Sequence, residues 1–109
     1  MEILDCINAL KALGEENRMR IISMLIHSQH SVNDIADNLG ISQYNVSKHL
    51  RILREAGLVE TNKNGQQRLY NLSANLRSHL AENNDTLDLG CCTFRFDEAA
   101  STAMTEKQA

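Results

Sequence analysis

Two short amphipathic stretches meet across only two residues, Gly40 and Ile41, and that spacing constrains the fold more than any other feature of the chain. The first opens with Ser31-Val-Asn-Asp34, the form of a capping box with Asp in the third position, and carries Val32, Ile35, Ala36 and Leu39 at helical spacing. The second covers 41–57, ISQYNVSKHLRILREAG, with Ser42 placed to cap its start and Gly57 to supply a left-handed stop. Within it Val46, Leu50 and Leu53 recur at i, i+4 and i+7, which predicts a narrow stripe facing a core. Two helices joined by so tight a glycine-containing turn have the outline of a helix-turn-helix.

The other side of the second stretch carries Tyr44, Ser47, Lys48 and Arg51, with Gln43 at the tip and no acid. Donors and positive charge on one helical face suit a DNA major groove, although an amphipathic surface helix is the commoner fate of such a pattern. The neighbouring sequence favours DNA. Two strand-like runs, Leu58-Val-Glu-Thr-Asn-Lys63 and Gln66-Gln-Arg-Leu-Tyr-Asn71, flank Asn64-Gly65, a strong hairpin signal because both residues accept the positive φ of a type I′ turn. Lys63 and Arg68 fall near the predicted tip, so this hairpin reads as a wing touching the phosphate backbone. The net charge of −3 argues weakly against nucleic acid, but from 42 to 68 five Lys/Arg stand against two acids. From 82 onward six acids stand against two bases, so the charge is segregated along the chain.

At 109 residues the chain is read as one small domain, for which oligomerisation is a natural way to bury more surface. Without proline, and rich in Ala, Leu and Ile, it is predicted to be mostly helical. A first helix is expected from the stripe Ile3, Cys6, Ile7, Leu10 and Leu13, closed by Gly14. A second is expected over about 15–27, with Ile21, Met24 and Leu25 inward. A fifth, capped by Ser73, is expected over about 74–83 from Leu76 and Leu80, which Leu87 would continue. The alternation in Leu89-Gly-Cys-Cys-Thr-Phe-Arg-Phe96 predicts a short strand, and 97–109 reads as a disordered tail. The opening MEILDCINAL lacks a basic leader with an apolar run after it, and 21–26 is too short to span a bilayer, so a soluble cytoplasmic protein is expected.

LKALGEENRMRIISML, then SVNDIADNLGISQYNVSKHLRILREAGLVE, then the hairpin ending RLYNLS resemble the ArsR/SmtB-type winged-helix repressors over about 10–80. The resemblance implies a winged helix-turn-helix fold of five helices plus a wing, in a domain over 1–96, as a homodimer formed by the first and last helices. It further implies a transcriptional repressor that binds double-stranded operator DNA and releases it on sensing a metal, a metalloid or a thiol-reactive signal. By position, the family's operator contacts fall on Gln43, Tyr44, Ser47, Lys48 and His49, with wing contacts at Lys63, Gln67 and Arg68. His49 also flanks the buried stripe, which makes a partly packed side chain its plainer reading.

The chain departs from the family's two commonest sensor sites. Ser31, Asn33 and Ala36 stand where the arsenic-type site has cysteines, and only His79 remains on the fifth helix where the zinc-type site has spaced histidines and a carboxylate. Attention passes to Cys6, Cys91 and Cys92, an odd count that argues against disulfide scaffolding. Cys6 has a bland reading as a small buried hydrophobe. In the family's dimer the first helix lies near the C-terminal segment, so the three thiolates together would suit trivalent arsenic or antimony as the inducer, with no obligatory cofactor. Adjacent side chains of a strand point to opposite faces, which obstructs that site unless Gly90 makes a turn. The rival is a reversible disulfide or polysulfide bridge from Cys6 to one of the pair, with Cys92 the expected partner. A thiol enzyme is disfavoured, because there is no C-x-x-C in a βαβ setting and no phosphate-binding loop. A winged helix serving only protein contacts is the remaining alternative.

Overall fold

A computed structural model describes residues 6–89 and 91–96, so Ile3, Gly90 and the expected tail over 97–109 lie outside the described residues. The order is α1 (Cys6–Leu13), α2 (Glu16–His27), α3 (Val32–Leu39), α4 (Gln43–Glu55), β1 (Val59–Asn64), β2 (Gln67–Leu72), α5 (Ala74–Glu82), β3 (Thr86–Asp88) and β4 (Thr93–Arg95). This is a winged helix-turn-helix: α3 and α4 form the motif, and the antiparallel β1–β2 hairpin is the wing.

Local chemistry sets the helix ends. Ser31, Ser42 and Ser73 are N-caps, their hydroxyls accepting from the backbone N–H of Asp34, Asn45 and Leu76. Glu15 does the same for α2, accepting from Arg18 N–H at 3.0 Å. Gly40 ends α3 at φ 69°, a left-handed conformation that glycine adopts without a side-chain penalty, and this lets α4 begin within three residues.

Val46, Leu50 and Leu53 are buried, as their spacing predicts, and pack with Ile21, Ile22, Leu25, Ile35, Leu58, Leu72 and Leu76 in one core. The wing is held on both edges, because β2 pairs with β1 along its length and Tyr70 also exchanges backbone hydrogen bonds with His30 at 3.0 and 2.8 Å. The 27–30 connector therefore fixes the base of the wing.

Four local expectations are corrected. The hairpin register pairs Asn64 with Gln67, so Gly65 and Gln66 form the turn, and only Gly65 takes a positive φ. Asn64 stays in the strand, where its side chain needs no unusual backbone. On α1 the buried residues are Ala9, Ala12 and Leu13, whereas Ile7 and Leu10 are exposed at 53% and 36%. Ile7 and Leu10 thus face outward, while Ala9 and Ala12 allow the close approach of α1 to the core and Leu13 enters it. Leu87 is fully buried, but from β3 rather than from a prolonged α5. The helix stops because Asn84 and Asp85 take left-handed φ values of 54° and 60°, with Asp85 N–H closing onto Leu80 O at 2.8 Å. Finally, the expected strand is present but shorter, as β4, and it pairs with β3 in a small hairpin that puts Leu87 and Phe96 in the core and Cys91 and Cys92 in the connection.

Leu53→Ala removes a fully buried side chain beneath α4 and is expected to lower unfolding free energy by about 2–5 kcal/mol in a denaturant titration. A loss near zero would show that the stripe is not the anchor of α4.

Candidate nucleic-acid interface

Because one stripe of α4 is committed to the core, its opposite face is fixed outward. Gln43, Tyr44, Ser47, Lys48 and Arg51 are all exposed, Tyr44 at 71%. Lys48 Nζ lies 5.4 Å from the centre of the Tyr44 ring, a cation–π contact that holds both side chains over the first two turns. This face meets the base of the wing in a cavity of about 400 Å³ lined by Tyr44, Ser47, Lys48, Arg51, Arg54 and Tyr70. Three cations and two phenols line it without an acid, a surface suited to a polyanion.

Arg54 and Tyr70 are additions to the residues singled out from the sequence. The signal for Arg54 was present, since it follows Ser47 by seven and Arg51 by three and so continues the same face. Tyr70 had no such signal, because its place depends on the tertiary pairing of β2 with His30.

On the wing Lys63, Gln67 and Arg68 are exposed, and Lys63 is the register partner of Arg68. Like charges directly opposite each other on two strands repel. A hairpin that keeps them together at its exposed end carries a local cost that a bound phosphate would relieve.

The structure does not bring His49 to this face. Its side chain is 17% exposed and turned toward α2, with Nδ1 3.2 Å from Arg18 Nη1 and 4.0 Å from Glu15 Oε1. The packed reading of His49 is the one observed, and the positional transfer of an operator contact to it is set aside.

The thiols are split. Cys6, the first residue of α1, and Cys91, before β4, form a disulfide with Cα atoms 6.3 Å apart, inside the range of about 4.4–6.8 Å that bridging needs. Cys92 is the free, half-buried member, so the expected Cys6–Cys92 pairing is corrected to Cys6–Cys91. Both cysteines of the pair sit outside β4, where the face alternation of a strand does not apply, and Leu89 N–H closes the connection onto Cys92 O at 2.9 Å. Among the described residues no group of three His, Cys, Asp or Glu side chains is gathered to hold an ion. His79 on α5 instead accepts from Asp88 N–H at 3.2 Å and ties α5 to β3.

Residues 15–61 match the family model described as bacterial regulatory protein, arsR family. The chain is also 31% identical over 85 residues to the arsenical resistance operon repressor of Staphylococcus xylosus, covering 75% of this chain and 82% of that protein. The chain belongs to the arsR family. The chain is also similar to the transcriptional activator HlyU of Vibrio cholerae, 42% identical over 65 residues, 60% of this chain, and spans 60% of that protein's length. The solved structure of reduced HlyU superimposes with a TM-score of 0.62 at 35% identity, over 70% of this chain and 81% of that one. The arsR family is one of regulatory proteins, and among the described residues no helix is long and apolar enough to cross a membrane.

Proposed function

We propose that this arsR-family chain is a homodimeric repressor that binds double-stranded operator DNA through α4 and the wing, and releases it when Cys6 and Cys91 are oxidised to a disulfide. The observation that carries the DNA reading is the acid-free face of α4 facing a cavity with Lys48, Arg51 and Arg54 on its walls. Gln43, Tyr44, Ser47 and Lys48 sit on the first turns of α4, the part of a recognition helix that reaches base edges, while Lys63, Gln67 and Arg68 are placed for phosphates. A dimer axis through α1 is supported by its outward Ile7 and Leu10, and two copies would present recognition helices about 34 Å apart for successive major grooves. Residues 1–96 serve in this reading as one unit for both tasks.

The redox reading follows from the Cys6–Cys91 bridge, which ties the start of α1 to the β3–β4 connection. With a peroxide as oxidant, one thiolate attacks the O–O bond, forming a sulfenic acid and expelling an oxyanion. The second thiolate attacks that sulfur and expels hydroxide. Two electrons and two protons leave the pair, and a thiol reductant returns them. Closing the bridge fixes α1, hence the angle between the two subunits and the spacing of their recognition helices. The relative solved as reduced HlyU is a protein whose redox state was specified. A second reading, trivalent arsenic or antimony held by reduced Cys91 and Cys92 with Cys6, is favoured by the name of the Staphylococcus relative.

Lys48→Ala and Arg68→Ala are each expected to weaken binding to a selected operator duplex about tenfold in a mobility-shift assay while the protein remains dimeric, since each removes about 1–3 kcal/mol of base or phosphate contact. Unchanged affinity in both variants would remove the assignment. Cys91→Ser is expected to keep DNA bound in the presence of peroxide, whereas Cys92→Ser still releases it. Release by arsenite in reducing buffer, lost in Cys92→Ser, would instead support the metalloid reading.

A further inference from the structure

Arg18 is the residue on which three elements converge. Its Nε donates to Ala12 O, its Nη2 to Lys11 O at 3.4 Å, and its Nη1 lies 3.2 Å from His49 Nδ1. The first two acceptors are carbonyls of the last turn of α1, which have no partners within the helix and are the negative end of its dipole. The third belongs to the recognition helix, one residue from Lys48. Glu15 completes the cluster, capping α2 through Arg18 N–H and standing 4.0 Å from the same His49 nitrogen.

We propose that Arg18 and His49 are positioning residues that transmit the state of α1 to the recognition helix. The proposal rests on the redox reading above and deepens it. α1 has eight residues, so its Cys6 end and its Arg18 end are roughly 10 Å apart on one short rigid rod. The disulfide pins one end to the β3–β4 connection, and the guanidinium fork grips the other. A guanidinium presents its donors in a fixed plane, so it meets carbonyls on α1 and the imidazole on α4 only while those two helices keep one relative position. A guanidinium only donates, so in this contact His49 Nδ1 is the acceptor. His49 is largely buried, and its backbone also carries the exposed Lys48 and Arg51, so a displacement of its ring turns the DNA-facing side. In the bridged state the clamp is closed and α4 is held in the releasing arrangement. Reduction frees α1, the clamp loosens, and α4 settles into the groove.

The test is the ratio of operator affinities of the reduced and the peroxide-oxidised full chain, with bridge formation verified by thiol titration. In the wild type this ratio is expected to lie within the range of about 5–150-fold that couples two sites in allosteric proteins. His49→Leu removes the acceptor, and Arg18→Met keeps the aliphatic stem but loses the fork. In both, the oxidised protein is expected to bind as the reduced wild type does, bringing the ratio to about one. His49→Gln, whose amide oxygen still accepts from Arg18, is expected to keep most of the ratio. Should His49→Leu not fold, Arg18→Lys carries the test, since a single ammonium cannot span three acceptors and the ratio falls at an unchanged melting temperature. By reciprocity, saturating DNA is expected to make the bridge harder to form in the wild type and to leave it unaffected in His49→Leu. An intact ratio in variants that still form the bridge, or an equal loss of affinity in both redox states, would reduce Arg18 and His49 to structural residues and overturn the proposal. A wild-type ratio of one would overturn the redox reading itself, and the relay with it.

Discussion

Burying Val46, Leu50 and Leu53 is the interaction on which the rest depends. With those three side chains committed, α4 has no rotational freedom left about its axis, and the face bearing Tyr44, Ser47, Lys48 and Arg51 has to point outward. Everything around the helix serves that orientation. Gly40 permits the sharp entry from α3, Ser42 satisfies the first free N–H groups, and Leu58 follows the helix directly into the core at the root of the wing. The wing is placed in turn by the pairing of Tyr70 with His30, so that α4 and β2 share one cavity wall.

The same helix is also tied at its edge. Where the exposed face is free of acids, the margin facing α2 holds His49 against Arg18 and Glu15, and Arg18 reaches onward to the end of α1. Through α1 that margin is continuous with the only disulfide among the described residues, at the opposite end of the rod. The acid-free face of α4 and the disulfide thus lie on one chain of contacts, without any shared side chain. In the proposed redox reading, that separation leaves the exposed side chains of α4 unaltered by oxidation and confines its effect to how they are held.

Much of the architecture was legible because it rests on local rules. The helix-turn-helix follows from two capping serines, a glycine and two stripes, all within 31–57, and the exposed side chains Gln43, Tyr44, Ser47, Lys48 and Arg51 follow from periodicity alone. The misses occur where tertiary context decides. The outward Ile7 and Leu10 carry the same helical spacing as a core stripe, and periodicity does not say which of two apolar faces is buried against this chain. Asn64-Gly65 satisfies a turn by its own chemistry, but pairing across β1 and β2 moved the turn by one residue. Leu87 repeats Leu80 at helical spacing, yet left-handed Asn84 and Asp85 end the helix first. The choice of Cys91 over Cys92 depends on a hairpin connection that strand alternation did not foresee, and Arg18 carries no sequence signal because its partners lie on two other helices, α1 and α4.

The central claim is that the face of α4 and the wing together hold duplex DNA, with the wing on its phosphates. The most direct measurement is the affinity of the reduced protein for a duplex selected from random sequence, followed across salt concentrations. Lys63 and Arg68, neutralising phosphates in each subunit of a dimer, give a slope of log affinity against log salt of about −4. A slope near that value would support the account. A slope near zero, or no duplex selected, would contradict it.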